Sequence, residues 1–279
     1  MTTVALLGTL DTKSEEYSWL KDRLGDLGVL VLSVDVGSFS ESPLADVSSD
    51  EVIAAAGADA AALRQRRDRG EMMAVMGQGA ARVLQRLAGE GRIHGMLAVG
   101  GSGGSSVAAP AMQALPVGFP KLLVSTMASG DVKPYVGEVD ATLTYSVVDV
   151  AGINSISETV LGNAAAGIAG MAKAYEARLS APPHDHRPLV GITMFGVTTP
   201  AADEARRTLT ELGYEALVFH AHRDRRARNG EARRLRAVGR GVRPDHHRIG
   251  RRPRRWRPVR RPRPARDRGR QGRPPGCQP

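Results

Sequence analysis

Along the first 221 residues, short apolar runs alternate with stretches whose apolar positions recur at helical spacing, and after that the alternation stops. Val4–Leu7 is a continuous apolar run closed by Gly8-Thr9, which predicts a buried strand feeding a loop. Thr12-Lys13-Ser14-Glu15 carries the Ser/Thr-x-x-Glu capping pattern and opens a predicted helix. Val29–Val36 reads as a β-branched strand ending at Asp35-Val36-Gly37, and Ser48-Ser49-Asp50-Glu51 repeats the capping pattern before an Ala-rich helical region. Between Glu71 and Leu87, the residues Met72, Met73, Val75, Met76, Val83 and Leu84 form one helical stripe. Met96–Val99 is the next strand; it breaks into the Gly/Ser-rich stretch Gly100–Ser106, followed by a helix to Leu115 and the strand Lys121–Ser125.

Residues 136–150 predict one strand and a turn. A long helix is predicted over Ile156–Tyr175, where Gly162, Gly167 and Gly170 are expected to let another helix or a partner subunit come close; each glycine costs about 1 kcal/mol relative to Ala. Ser180–Pro188 is rich in Pro, His and Asp and reads as a linker. A second unit opens with the strand Leu189–Thr193, then Thr199-Pro200 as N-cap and first helical residue, a helix to Leu212 and the strand Ala216–Phe219. Such alternation predicts α/β architecture: doubly wound, Rossmann-like parallel sheets with helices on both faces. The expected division is a first subdomain over 1–179, a linker over 180–188 and the start of a second, truncated subdomain over 189–221.

Charge divides the chain at the same place. Residues 222–279 hold 22 Arg, no Lys and 4 acids, whereas residues 1–221 carry 17 Lys+Arg against 25 Asp+Glu. The formal net charge of +10 therefore describes neither part. In the tail, Leu235, Val238, Val242, Ile249 and Val259 are the only aliphatic residues larger than Ala, too few to offset ordering entropy, so disorder is expected. A basic arm for nucleic acid is the plain reading of such charge. The absence of Lys and the break directly after a core-type strand point instead to a reading-frame shift near the codon for His222 in a GC-rich gene. Shifting plausible GC-rich codons for Arg223–Glu231 by one nucleotide yields Gly-Thr-Gly-Gly-Arg-Ala-Met-Glu, and for Pro244–Arg251 Leu-Thr-Thr-Thr-Glu-Leu-Ala-Asp. Both are segments that an unfinished α/β unit needs next, so nucleic acid is not an expected partner. The single cysteine, Cys277, excludes a disulfide framework and a cysteine-based zinc site. The lack of a long apolar run or a basic-flanked leader predicts a cytoplasmic protein without a membrane span.

Ligands of open parallel sheets bind beyond the carboxyl ends of strands, where loops meet helix N-termini. Gly100, Gly101, Ser102, Gly103, Gly104 and Ser105 occupy such a place and can present amides and hydroxyls to a phosphate, or form only a tight turn. Gly8, Thr9, Asp11, Thr12 and Lys13 stand in the same position after the first strand. Lys13 can neutralise a phosphate, and Asp11 can hold Mg²⁺ through water or accept a ribose hydroxyl; alternatively Asp11 and Thr12 only cap the helix. Asp35 can contact a ribose or close a plain turn. Ser125, Thr126, Ser129 and Gly130 follow a further strand and are expected to line the site. No Walker A sequence and no recognisable nucleophile occur.

In chain order, Gly8–Lys13, Gly100–Ser105, the stretch from Pro120 through Ser125-Thr126-Met127-Ala128-Ser129-Gly130-Asp131, Tyr145–Asp149 and Gly196–Pro200 resemble the Tm-one-like ATP-binding family. That family comprises the N-terminal domain of a plant resistance protein against tomato mosaic virus and its uncharacterised bacterial and fungal relatives. The resemblance covers residues 1–221 and implies ATP binding with Mg²⁺, two Rossmann-like subdomains and self-association as a homo-oligomer when full length. It implies no reaction. Members continue after the strand ending Phe219-His220-Ala221 with Gly-Thr-Gly-Gly and Thr-Thr-Thr-Glu segments, the two that the frame shift recovers. The alternative expectation is a metabolic enzyme acting on a phosphorylated or carboxylated small molecule in the same cleft.

Overall fold

Residues 1–38, 42–181 and 187–220 are described in a computed structural model. The core of the predicted linker and the whole Arg-rich tail, with the expectations attached to them, lie outside the described residues. Five parallel strands, β1 (Thr3–Gly8), β2 (Leu30–Asp35), β3 (Gly95–Gly100), β4 (Lys121–Ser125) and β5 (Thr142–Tyr145), form one sheet in the order β2-β1-β3-β4-β5. A second, two-stranded parallel sheet pairs β6 (Leu189–Met194) with β7 (Glu215–His220).

Alternation within the strands sends side chains to two cores. On one face Ala5, Leu7, Val34, Met96, Ala98 and Leu123 pack under α2 (Ser49–Ala55), α3 (Ala60–Arg66), α4 (Arg69–Gly89) and α5 (Ser102–Ala114). On the other Val4, Leu6, Leu97, Val99, Leu122 and Val124 pack under α1 (Ser14–Asp26) and α7 (Ser155–Ser180). Between α5 and β5 lie a 3-10 turn, Thr126–Ser129, and the single turn α6 (Lys133–Val136). Both faces being covered explains why the centres of β3 and β4 are apolar on both faces and why both strands are buried throughout.

Close packing uses glycine where backbone meets backbone. A side chain on Gly79 of α4 would fall 2.0 Å from the Val52 carbonyl of α2, and one on Gly77 would fall 3.1 Å from the Pro110 ring of α5. The three glycines singled out in the long helix α7 do not serve this purpose among the described residues. Positions 162 and 167 have only ordinary contact at 3.8 Å with Trp19 and Leu122, and position 170 faces open space. Gly57, at φ +80, ends α2 and splits the Ala-rich region into two helices.

Ser48 forms the expected capping box with Glu51. The first capping pattern fails: α1 starts at Ser14 with Lys13 at its N-cap, and the Thr12 hydroxyl bonds back to Thr9 instead. Among the described residues no helix is long and apolar enough to cross a membrane.

β6, β7 and α8 (Thr199–Glu211) follow the predicted order, with Thr198 rather than Thr199 at the N-cap. Their strands are half-buried at best, and Ala202 is the one buried residue of α8.

Candidate functional site

The strand order reverses between β1 and β3, since the chain runs from β1 outward to β2 and then returns across to β3. In a 2-1-3-4-5 sheet the ligand crevice lies at this switch point, beyond the carboxyl ends of those two strands. The Gly8–Lys13 and Gly100–Ser106 segments, predicted independently, leave from the two strands that flank it.

Tyr17 builds the floor. Register between β1 and β3 ends at Leu7↔Ala98, and where the strands part the buried Tyr17 hydroxyl lies 2.7 Å from the Leu7 carbonyl and 2.8 Å from the Val99 carbonyl, while accepting the Val99 N–H at 3.0 Å. Burial raises its pKa far above the ordinary tyrosine range, so it stays a neutral bridge. Gly8 makes room for the ring, because a Cβ there would stand 1.9 Å from Tyr17 Cζ.

Helix α5 begins at Ser102, so Gly100–Ser106 is not an extended loop; its serines and glycines are the first turns of a helix. Gly100 permits the close start, with its Cβ position 3.1 Å from Gly104 Cα. Gly101 is the N-cap and supplies no side-chain acceptor to the first-turn amides. Side chains do cap α2, α3, α4 and α7, through Ser48, Asp59, Asp68 and Asn154. The helices opening at the switch point, α1 and α5, are without one, as are α6 and α8 elsewhere. Thr126 Oγ1 stands 3.6 Å from the Cβ position of Gly101, and the exposed Arg69 guanidinium 3.5 Å from that of Gly103. Unsatisfied amides, a helix dipole and a guanidinium at one point favour an anion. Arg69 is absent from the sequence-level candidates; nothing in its spacing announces that α4 starts beside α5.

Other candidates fall into different roles. Ser105 and Ser125 are buried and bonded Oγ to Oγ at 2.6 Å, with Met127 N–H donating to Ser125 Oγ, so they tie β4 to α5 beneath the surface. Ser102, Ser129 and Gly130 are exposed at the rim. Thr9 accepts the Lys13 and Thr12 amides and closes the first turn. Lys13 points away from α5: its Nζ donates to the Val150 carbonyl and pairs with Glu16 at 3.8 Å.

Asp35, fully buried at the end of β2, accepts Leu10 N–H at 3.1 Å and Gly37 N–H at 2.8 Å through Oδ1, while Oδ2 has no hydrogen-bond partner. The Asp11 carboxylate presses on the same glycine, its Cγ 2.5 Å from where a Gly37 Cβ would stand. Burial is the main cause of a raised Asp35 pKa, opposed by the two amides and reinforced by the Asp11 charge. Among the described residues no group of three or more His, Cys, Asp or Glu could hold a metal ion by itself. A wide hollow of about 990 Å³ along α8 is lined by charges already paired with one another, Arg207 bridging Glu204 and Glu211.

Comparison with known proteins places the chain. Residues 2–177 match the model described as "Uncharacterised protein family (UPF0261) N-terminal domain", and residues 187–223 match that of the C-terminal domain. A UPF0261 protein of Clostridium tetani is 46% identical over 219 residues, covering 78% of this chain and 53% of that one. The ToMV susceptible protein tm-1 of Solanum lycopersicum is 35% identical over 235 residues, covering 78% of this chain and 31% of that one. The chain thus spans about half the length of the bacterial relative and less of the plant one. A Streptomyces coelicolor thioesterase of the prodiginine pathway overlays with a TM-score of 0.24 at 17% identity, a likeness that says nothing of fold or chemistry. Both matched domains and the tomato and bacterial relatives agree: the chain belongs to the UPF0261 family.

Proposed function

We propose that the protein binds ATP together with magnesium at the switch point, with the polyphosphate on the N-terminus of α5. The observation that carries this reading is the uncapped first turn of α5 at the switch point, flanked by Arg69 and Thr126. The resemblance to the Tm-one-like ATP-binding family supports an adenine nucleotide over other phosphate ligands. Magnesium prefers hard oxygen donors and is commonly held by one or two carboxylates plus phosphate oxygens and water. Asp11 and Asp35 fit that pattern, Asp35 through a buried acceptor that nothing else uses. They would hold the ion, whose chemistry here is neutralisation of the polyphosphate. The chain's own residues bind and orient: α5 and Arg69 take the anion, and Tyr17 fixes the gap between strands.

The test is calorimetric titration of the 279-residue chain with Mg-ATP, inorganic phosphate, a hexose phosphate and citrate. Binding of Mg-ATP ahead of the other three is expected. Gly101→Asp supplies α5 with a cap and a negative charge at once, and the position has room, with Thr126 Oγ1 3.6 Å away. It keeps or raises the melting temperature and weakens ATP at least tenfold. Equal ATP binding by Gly101→Asp contradicts the proposal, and binding of a metabolite but not ATP establishes the metabolic alternative.

A further inference from the structure

We infer that the nucleotide lies in one orientation along the sheet edge, its base over the ends of β4 and β5 against Met127, Tyr145 and Val147, and its polyphosphate over β3 and β1. This rests on the nucleotide reading above and adds the base subsite and the direction of binding.

Exposed apolar surface separates the two ends of the edge; carboxylates stand at both, with the exposed Asp149 two residues past Val147. Toward β2 stand Asp11 and Asp35, while the apolar residues there, Leu10 and Val36, are buried. A polyphosphate can reach these carboxylates through a cation, whereas the buried Leu10 and Val36 offer a base no apolar surface. Toward β5, three large apolar side chains are open to solvent: Met127 is 38% exposed, Tyr145 43% and Val147 56%. They share one corner. Tyr145 is in register with Ser125 at the end of β4, and Met127 follows in the turn anchored on Ser125 Oγ.

Val147 is the sharper sign. It is a β-branched residue at φ +66, a left-handed conformation that such side chains rarely adopt. Val148 N–H donates to the Ser146 carbonyl at 2.7 Å, closing a three-residue turn, and the Ser146 hydroxyl donates to the Val148 carbonyl at 2.6 Å. The strained turn buries little of its valine. It holds an apolar side chain out at the sheet edge, where a planar base would cover it.

Position and connection agree. Adjacent strands lie about 4.8 Å apart, so the end of β5 is about 10 Å from the end of β3, the step from a phosphate across a ribose to a base. Ser105 of α5 bonds Ser125, and the Ser125 carbonyl accepts Ser146 N–H at 3.2 Å. One hydrogen-bonded chain therefore sets the Val147 turn relative to the helix that takes the phosphate.

The experiment titrates the full chain with Mg-ATP and, separately, with magnesium tripolyphosphate, comparing wild type, Tyr145→Ala, Tyr145→Phe and Val147→Gly. In wild type ATP binds more tightly than tripolyphosphate. Tyr145→Ala and Val147→Gly weaken ATP about tenfold and leave tripolyphosphate unchanged, Tyr145→Phe retains ATP affinity, and Val147→Gly melts no lower than wild type. If wild type binds both probes equally, or the variants leave ATP unchanged, the base lies elsewhere and the phosphate reading stands alone. If neither probe binds, the nucleotide reading falls and this inference with it. A change of mass by light scattering in Tyr145→Ala, with ATP binding intact, makes the corner an interface between copies and overturns the assignment.

Discussion

Two parallel sheets in this molecule start from the same sequence pattern and reach different ends. β3 and β4 are buried along their whole length between two helical layers, while no residue of β6 or β7 is fully buried and α8 buries only Ala202. An apolar run makes a strand, but burial needs a cover on each face, and among the described residues the second sheet has two strands and one helix, too few to provide it. Chemistry follows the same division. The buried Tyr17, Ser105 and Ser125 hydroxyls and the orphan Asp35 oxygen all sit on the covered sheet.

The contrast breaks most sharply at Gly8. Gly8→Ala drives a methyl into the Tyr17 ring, 1.9 Å from Cζ, and should cost more than about 3 kcal/mol in urea unfolding followed by Trp19 fluorescence. Next, Leu97→Ala in the centre of the first sheet should cost about 2–5 kcal/mol, and Ile192→Ala in the second less than about 1 kcal/mol. Equal costs would mean that the second sheet has found a cover. Tyr17→Phe strips the Val99 amide of its acceptor and should cost about 1–3 kcal/mol with the fold intact.

The smallest effect has the opposite sign. Asp35 has a raised pKa, so the folded state holds its proton more firmly than the unfolded chain, and stability is lost as pH rises through the folded value. Asp35→Asn, in EDTA, should therefore melt higher than wild type at pH 7, and the gap should close on acidification. A gap that widens toward acid pH would mean that the carboxylate is stabilised by its surroundings.

Much of this was legible in the sequence because local pattern and tertiary environment agree. The strand predicted over Val29–Val36 is Leu30–Asp35, and the Met-rich stripe became α4. The failures are places where contact between distant segments decides. Gly100–Ser106 has the composition of a loop, but Gly100 lets α5 begin immediately, its Cβ position 3.1 Å from Gly104 Cα. Lys121 reads as the polar start of a strand, yet it is buried with Nζ donating at 2.8 Å each to Pro116 O, Phe119 O and Asp140 Oδ1. Burial lowers its pKa and Asp140 opposes that shift. Tyr17 and Arg69 escaped notice for the same reason. Their roles arise from the strand order, which no periodicity reveals. The place of Asp35, by contrast, is legible, since the apolar run of β2 ends at it.

Hydrogen exchange on the full chain, with and without Mg-ATP, tests the central claim most directly. The account predicts slowed exchange in residues 8–13 and 100–106, with residues 189–220 unchanged. Protection confined to 189–220, or none at saturating nucleotide, would contradict it.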